Sequence, residues 1–92
     1  LEHANQLTLE QIDLNGILSE VPSSLQAKAE RKQQELSVTI DQYVRPLLGS
    51  RIELTRALTN LVENAINYTP VSGHIEIAGH NENEAALIEI SD

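Results

Sequence analysis

Residues 50–73 read SRIELTRALTNLVENAINYTPVSG, a helix with both of its ends written into the sequence. Gly49 and Ser50 turn the chain. Ser50 followed three residues later by Glu53 is a capping-box pattern, in which each side chain satisfies a backbone donor of the first turn. Leu54, Leu58, Leu61, Ala65 and Tyr68 then recur at steps of four, three, four and three, which predicts a helix over residues 50–68 with that stripe packed inward. Thr69, Pro70, Ser72 and Gly73 stop it. At 100° per residue, Glu53, Arg56, Asn60, Asn64 and Asn67 fall within about 80° of one another, beside the apolar stripe. Asparagine is a mediocre helix former because its amide competes with the backbone, so three in one line need a reason. The strip is either a solvated face or a ligand surface, and an amide carbonyl is a hard oxygen donor suited to Mg²⁺.

Downstream of the helix, residues 74–78 carry Ile75 and Ile77 in alternation and residues 86–91 carry Ile88 and Ile90. The two runs read as a hairpin around residues 81–84. Upstream, Leu7 and Leu9 alternate with polar residues over 7–12, a short strand, and Asp13 offers a cap. Leu14, Ile17, Leu18, Val21 and Leu25 predict a helix from residue 14 to about residue 32. Pro22 removes a backbone donor and crowds the carbonyl four residues earlier, so a kink or break is expected over residues 18–21. Leu36, Val38 and Ile40 alternate in another strand, and residues 43–48 form a short extended piece that Pro46 confines to an edge. The expected fold class is α+β, a two-layer α/β sandwich with a mixed sheet covered on one face by two helices.

Composition narrows the function. With 92 residues there is one core, and with no Phe, Trp or Met it is built from branched aliphatics and Ala. The net charge of -8 is spread along the chain, and the densest basic cluster, Lys28, Arg31 and Lys32, lies beside Glu30 and Glu35, so no nucleic-acid partner is expected. The absence of Cys excludes disulfides and thiolate metal sites. No apolar run approaches the ~20 residues of a membrane span. There is no initiating Met or leader-type start, from which the expectation is a piece excised from a longer protein.

The run Asn60 to Pro70, N-L-V-E-N-A-I-N-Y-T-P, resembles the N box of the ATP-binding domain of sensor histidine kinases, typically N-L-x-x-N-A-x-K-Y-[ST]-P. It sits where that family has it, after a helix opened by a Gly-Ser turn and before a strand beginning G-H-I-E-I. The opening L-E-H-A-N-Q-L-T-L-E-Q-I-D-L-N-G-I-L looks like the family's passage from the dimerisation helices into the catalytic domain. The closing I-E-I-S-D resembles the strand leading into the D-x-G-x-G box. The resemblance covers essentially the whole chain. It implies residues 1–6 as the end of the linker and residues 7–92 as the N-terminal part of a truncated Bergerat (GHKL) ATP-binding fold. It further implies ATP and Mg²⁺ as cofactors, with the γ-phosphate passed to a histidine of the dimerisation domain and on to a response regulator. A cytoplasmic domain follows, in a parent protein that can be anchored in the inner membrane.

On that resemblance Asn64 is the Mg²⁺ ligand, Asn60 faces the phosphates or the metal's waters, and Asn67 lies on the phosphate side. Tyr68 packs by adenine or ribose, and Asp92 accepts a hydrogen bond from the adenine amino group. No catalytic residue is assigned, and Glu63, at the rim of the strip, is left out of the set. Two departures stand out. Asn67 replaces the family's usual Lys or Arg, for which Arg56 is a candidate substitute. The sequence also stops at Asp92, so the glycine boxes and lid lie outside it, and the 92 residues alone are expected to bind ATP weakly and to self-associate through uncovered strand edge and apolar faces. ATPases of the same superfamily typically carry Glu at the position of Asn60 to activate water, and an amide is a poor base. A degenerate, non-catalytic interaction module is the alternative reading. His3 lacks the flanking residues of a phospho-acceptor box, and His74 and His80 read as surface positions without metal-site spacing.

Overall fold

The computed structural model describes residues 10–41, 47–82 and 85–91. Its elements run β1 (Glu10–Ile12), α1 (Leu14–Ser24), α2 (Gln26–Glu30), β2 (Glu35–Ile40), β3 (Leu47–Gly49), α3 (Arg51–Tyr68), β4 (His74–Glu82) and β5 (Ala85–Ser91). Residues 7–9 of the expected first strand, residues 42–46 with Pro46, the hairpin residues 83 and 84, and Asp92 lie outside the described residues.

α3 begins at the predicted cap with one half of the expected capping box, the Glu53 carboxylate turning to Arg56 instead of to the Ser50 N–H. Ser50 is extended (φ -99°, ψ 115°) and its Oγ accepts the Glu53 N–H at 3.3 Å, while Glu53 itself sits favourably at the positive end of the helix. The helix ends where Thr69 turns extended (φ -80°, ψ 135°) ahead of Pro70, a residue that disfavours helical geometry in its predecessor. The buried face, however, is not the expected stripe. Leu58, Val62 and Ile66 are buried, with Leu54 and Ala65 half-buried, whereas Leu61 is 53% and Tyr68 84% exposed. Two apolar ridges lie side by side on this helix, and only one can face the core. Spacing alone does not choose between them.

α1 is capped by Asp13, whose carboxylate accepts the Asn15 N–H at 3.1 Å. Leu14, Ile17, Leu18, Val21 and Pro22 are its buried residues. The expected break over residues 18–21 is absent, and the helix runs through Pro22 to Ser24. The proline ring is itself buried, facing Leu58, Val62 and Ile77 across an apolar crevice, so core packing offsets the backbone donor it lacks. The helical bonding gives way later, at Leu25 (φ -108°, ψ 5°), whose N–H turns back to the Pro22 carbonyl at 3.1 Å before α2 begins.

The sheet has the order β2-β4-β5, with β2 parallel and β5 antiparallel to the central β4. β1 and β3 form a separate antiparallel pair, Gln11 opposite Leu48, so the strands divide into a mixed sheet and a short ladder. On one face of the mixed sheet, Leu36, Val38 and Ile40 align with Ile75, Ile77 and Gly79, and Ile88 and Ile90 complete the layer from β5. Together with α1 and α3 this face encloses the core, in which Ile12, Leu14, Ile17, Leu18, Ile66, Ile75 and Ile77 are almost fully buried. The opposite face carries Glu35, Ser37, Thr39, His74, Glu76, His80 and Glu89, the alternation expected of a sheet with one wet side.

Between α3 and β4 the chain closes tightly. Gly73 donates its N–H to the Pro70 carbonyl at 3.0 Å, and its own carbonyl accepts the Glu35 N–H at 3.0 Å, which starts the β2–β4 ladder. A Cβ at Gly73 would overlap the Thr69 methyl and lie 2.9 Å from the Pro70 carbonyl oxygen. Gly73→Ala is therefore expected to cost about 1–3 kcal/mol, as overpacking does elsewhere. An unchanged urea midpoint would show that this turn has room to give.

Candidate functional site

Asn60, Asn64 and Asn67 lie in line on the exposed surface of α3, and none of their side chains is bonded to another described residue. Because the core takes the ridge of Leu58, Val62 and Ile66, the amide strip points about 165° away from it on an ideal helix. It stands opposite the buried face, not beside it as the apolar spacing suggested. Leu61 and Tyr68, both exposed, occupy the surface between the amides and the core edge. The structure thus brings Asn60, Asn64, Asn67 and Tyr68 onto one helix surface, with carbonyl oxygens and amide donors next to an apolar and aromatic margin. Asp92, the fifth expected site residue, lies outside the described residues.

The flanking charges are engaged. Arg56, the expected substitute cation, pairs with Glu53 at 3.5 Å, an exposed contact of the kind that contributes little. Glu63 meets Lys28 at 3.0 Å and so ties α2 to α3. The two residues that sequence reasoning missed stand behind the strip. Lys32 Nζ donates to the carbonyls of Ile66 (2.8 Å), Asn67 (3.2 Å) and Thr69 (2.8 Å). Gln34 Nε2, from a buried side chain, donates to those of Ile66 (3.0 Å), Thr69 (2.8 Å) and Pro70 (3.4 Å). The Ile66 and Asn67 carbonyls belong to the last turn of α3, whose carbonyls have no partners within the helix, and those of Thr69 and Pro70 follow directly after it. Lys32 and Gln34 lie 32 to 37 positions away in sequence, so no local pattern announces them. The available signal was negative: the last turn of α3 has no basic residue of its own.

On the far side of the sheet, His74 meets Glu35 at 3.2 Å, and His80 lies between Asp41 (Nδ1, 3.4 Å) and Glu89 (Nε2, 3.3 Å). Both histidines are on the outer face, remote from the amides and in keeping with their expected surface positions. Among the described residues no group of three or more His, Asp or Glu is arranged to hold a metal ion. The Asp41 carboxyl is held below the ordinary carboxylate range, first by the Asn81 N–H at 3.0 Å and further by His80. A depressed folded-state pKa contributes stability that is present above the unfolded value and lost as pH falls through the folded one. Asp41→Asn is therefore expected to lower stability at neutral pH, where the contribution is present, and to flatten the further loss below about pH 4. Denaturation series from pH 2.5 to 6 that superimpose for both proteins would refute this.

No protein-family model matches the chain. Among curated proteins it is similar to the adaptive-response sensory kinase SasA of Synechococcus elongatus, 35% identical over 77 residues, 83% of this chain and 20% of that protein. It is 38% identical over 80 residues to histidine kinase 3 of Arabidopsis thaliana, covering 84% of this chain and 8% of the relative. The chain thus spans a fifth or less of these relatives. Among solved structures, the catalytic domain of histidine kinase ThkA superposes with a TM-score of 0.84 at 21% identity, over 91% of this chain and 57% of that one. The fold is that of a histidine-kinase catalytic domain. The histidine kinase AdeS of Acinetobacter baumannii shows the same arrangement, with a TM-score of 0.77 at 18% identity over 92% of this chain and 42% of its own. The α+β histidine-kinase fold expected from the N-box resemblance is therefore present.

Proposed function

We propose that this chain is the N-terminal part of the ATP-binding domain of a sensor histidine kinase, with residues 1–6 closing the linker and residues 7–92 entering the catalytic domain. The observation that carries the proposal is the line of three exposed amides on α3, unbonded among the described residues, on a helix whose capped start and clamped end hold them in register. Their carbonyl oxygens suit Mg²⁺, which prefers hard oxygen donors and shares its shell with water and phosphate. Asn64 would hold the ion, Asn60 the phosphates or the ion's waters, and Asn67 the phosphate side. Tyr68 would lie against adenine or ribose, and Asp92 would accept from the adenine amino group. When bound, Mg²⁺ supplies neutralising charge to the polyphosphate. The protein's own work is to position the nucleotide, since phosphoryl transfer is chiefly positioning and charge stabilisation.

In the parent protein the γ-phosphate would pass to a histidine of the dimerisation domain and then to a response regulator. ThkA has been solved in complex with the response regulator protein TrrA, and this chain superposes on that kinase with a TM-score of 0.82 at 22% identity, over 97% of itself and 27% of that chain. None of the described helices is long and apolar enough to cross a membrane, which is compatible with a cytoplasmic domain in the parent. Asn67, in place of a cation, is the observation that favours the degenerate-module reading.

Titration calorimetry separates the two. The parent kinase is expected to bind Mg-ATP with micromolar affinity, and the 92 residues alone no more tightly than about millimolar, because their amides stand on an open helix surface. A parent that binds no nucleotide would establish the interaction module.

A further inference from the structure

Nucleotide phosphates placed at Asn64 and Asn67 would meet the last turn of α3, which is the wrong end of a helix for an anion. Anions favour helix N-termini, where free N–H groups and the positive end of the dipole face them. A C-terminus presents bare carbonyls and the equivalent of about half a negative charge. The chain is itself strongly acidic, at -8. α3 carries no basic residue in its last turn, and Arg56, earlier on the helix, is paired with Glu53.

Resting on the Mg-ATP reading, we propose that Lys32 is the cation that makes the C-terminal turn of α3 acceptable to a polyphosphate. Its ammonium is delivered from behind the helix, between α2 and β2, and directs bonds at three terminal carbonyls, that of Asn67 among them. Its backbone is pinned on both sides. The Lys32 carbonyl accepts the Ser72 N–H at 2.8 Å, Gln33 takes a left-handed conformation (φ 55°), and the Gln34 N–H bonds to the Ala29 carbonyl at 3.0 Å. The half-buried side chain therefore stays at the helix end.

Gln34 shows why charge, and not hydrogen bonding alone, is what Lys32 adds. Its neutral amide already donates to Ile66 and Thr69, two of the three carbonyls that Lys32 reaches. If satisfying carbonyls were the whole task, the second donor would largely duplicate the first. The pair divides the work. Gln34 fixes the geometry of the helix end, and Lys32 offsets its negative potential. Lys32 is thus a positioning residue that acts through the field of α3, without touching the nucleotide.

The test compares wild-type parent protein with Lys32→Gln, which keeps donors but removes the charge, Lys32→Arg, which keeps the charge, and Gln34→Leu, which removes the neutral donor. Binding of Mg-ATP and of adenosine is measured by calorimetry at low and high salt, with a thermal melt for each variant. Lys32→Gln is expected to weaken Mg-ATP about tenfold at low salt and much less at high salt, while adenosine binding changes by less than about twofold. Lys32→Arg retains the wild-type ratio of the two affinities. Gln34→Leu lowers the melting temperature and leaves that ratio unchanged. Equal weakening of both ligands by Lys32→Gln, or no weakening, overturns the proposal. A wild-type parent that takes no Mg-ATP overturns the reading beneath it instead. Where Lys32→Gln does not fold, the ammonium resonance of Lys32 in the wild-type protein decides: it shifts on Mg-ATP and not on adenosine, and a signal unmoved by Mg-ATP rejects the role.

Discussion

Ile77→Ala is expected to remove about 2–5 kcal/mol of stability, the range for truncating a fully buried aliphatic side chain. Ile77 is 1% exposed on the central strand, with Val38 beside it on β2 and Ile90 beside it on β5. The other side of the crevice it lines is closed by Leu58 and Val62 of α3 and by Ile17, Leu18, Val21 and Pro22 of α1. Neighbours held by a sheet ladder on one side and two helices on the other cannot collapse into the space, so the cavity term adds to the lost transfer energy. A chain of this size has few kilocalories to spare. The melting temperature should drop by roughly 10–30 °C, at the usual 4–8 °C per kcal/mol for a small domain. Val38→Ala is the internal control. It sits opposite Ile77 in the same ladder but is 38% exposed, and should cost under about 1 kcal/mol. Equal losses from the two substitutions in urea denaturation would mean that the core is not centred on β4.

Asn64→Ala is expected to move stability and binding in opposite directions. The side chain is exposed and bonded to no other described residue, and Asn is a poorer helix former than Ala by up to about 0.7 kcal/mol, so the variant should melt a few degrees higher. Mg-ATP affinity of the parent should fall about 10–100-fold, the scale on which metal sites respond to loss of a supporting group. That combination marks an amide kept for a ligand at some cost to its helix. A lower melting temperature with unchanged affinity would instead make Asn64 a structural residue. Asn64→Asp provides a second check, because a carboxylate in the C-terminal half of α3 opposes the helix dipole and keeps a poor helix former, and should lose the thermal gain.

What could be read from the sequence was what neighbouring residues decide. The start of α3 follows from Ser50 and Glu53, its end from Thr69 and Pro70, and the strands β2, β4 and β5 from their alternation of Ile, Leu and Val with polar residues. The inward ridge of α3 was not legible, because Leu61 and Tyr68 continue a helical stripe as regularly as Val62 and Ile66 do, and only the sheet's position chooses between them. Pro22 misled for a related reason. Its backbone penalty is local and visible, whereas the packing that offsets it comes from residues more than thirty positions away. In the site, the line of Asn60, Asn64 and Asn67 came directly from helical spacing. The polar contacts that fix its far end, from Lys32 and Gln34, are long-range and left no trace in local pattern.

The parallel pairing of β2 with β4 also constrains how the chain can reach its fold. Every pair in that ladder, from Glu35 with His74 to Ile40 with Gly79, joins residues 39 positions apart. The β4–β5 hairpin, by contrast, closes between Glu82 and Ala85. The entropy of closing the long loop must be met before the parallel ladder returns any hydrogen bond, whereas the hairpin and α3 form from near neighbours. Assembly is therefore ordered by topology: the local elements are available early, and docking of β2 onto β4 sets the pace of the search. Until β2 docks, one edge of β4 stays unpaired, which makes this interval the one in which two chains are most able to capture each other.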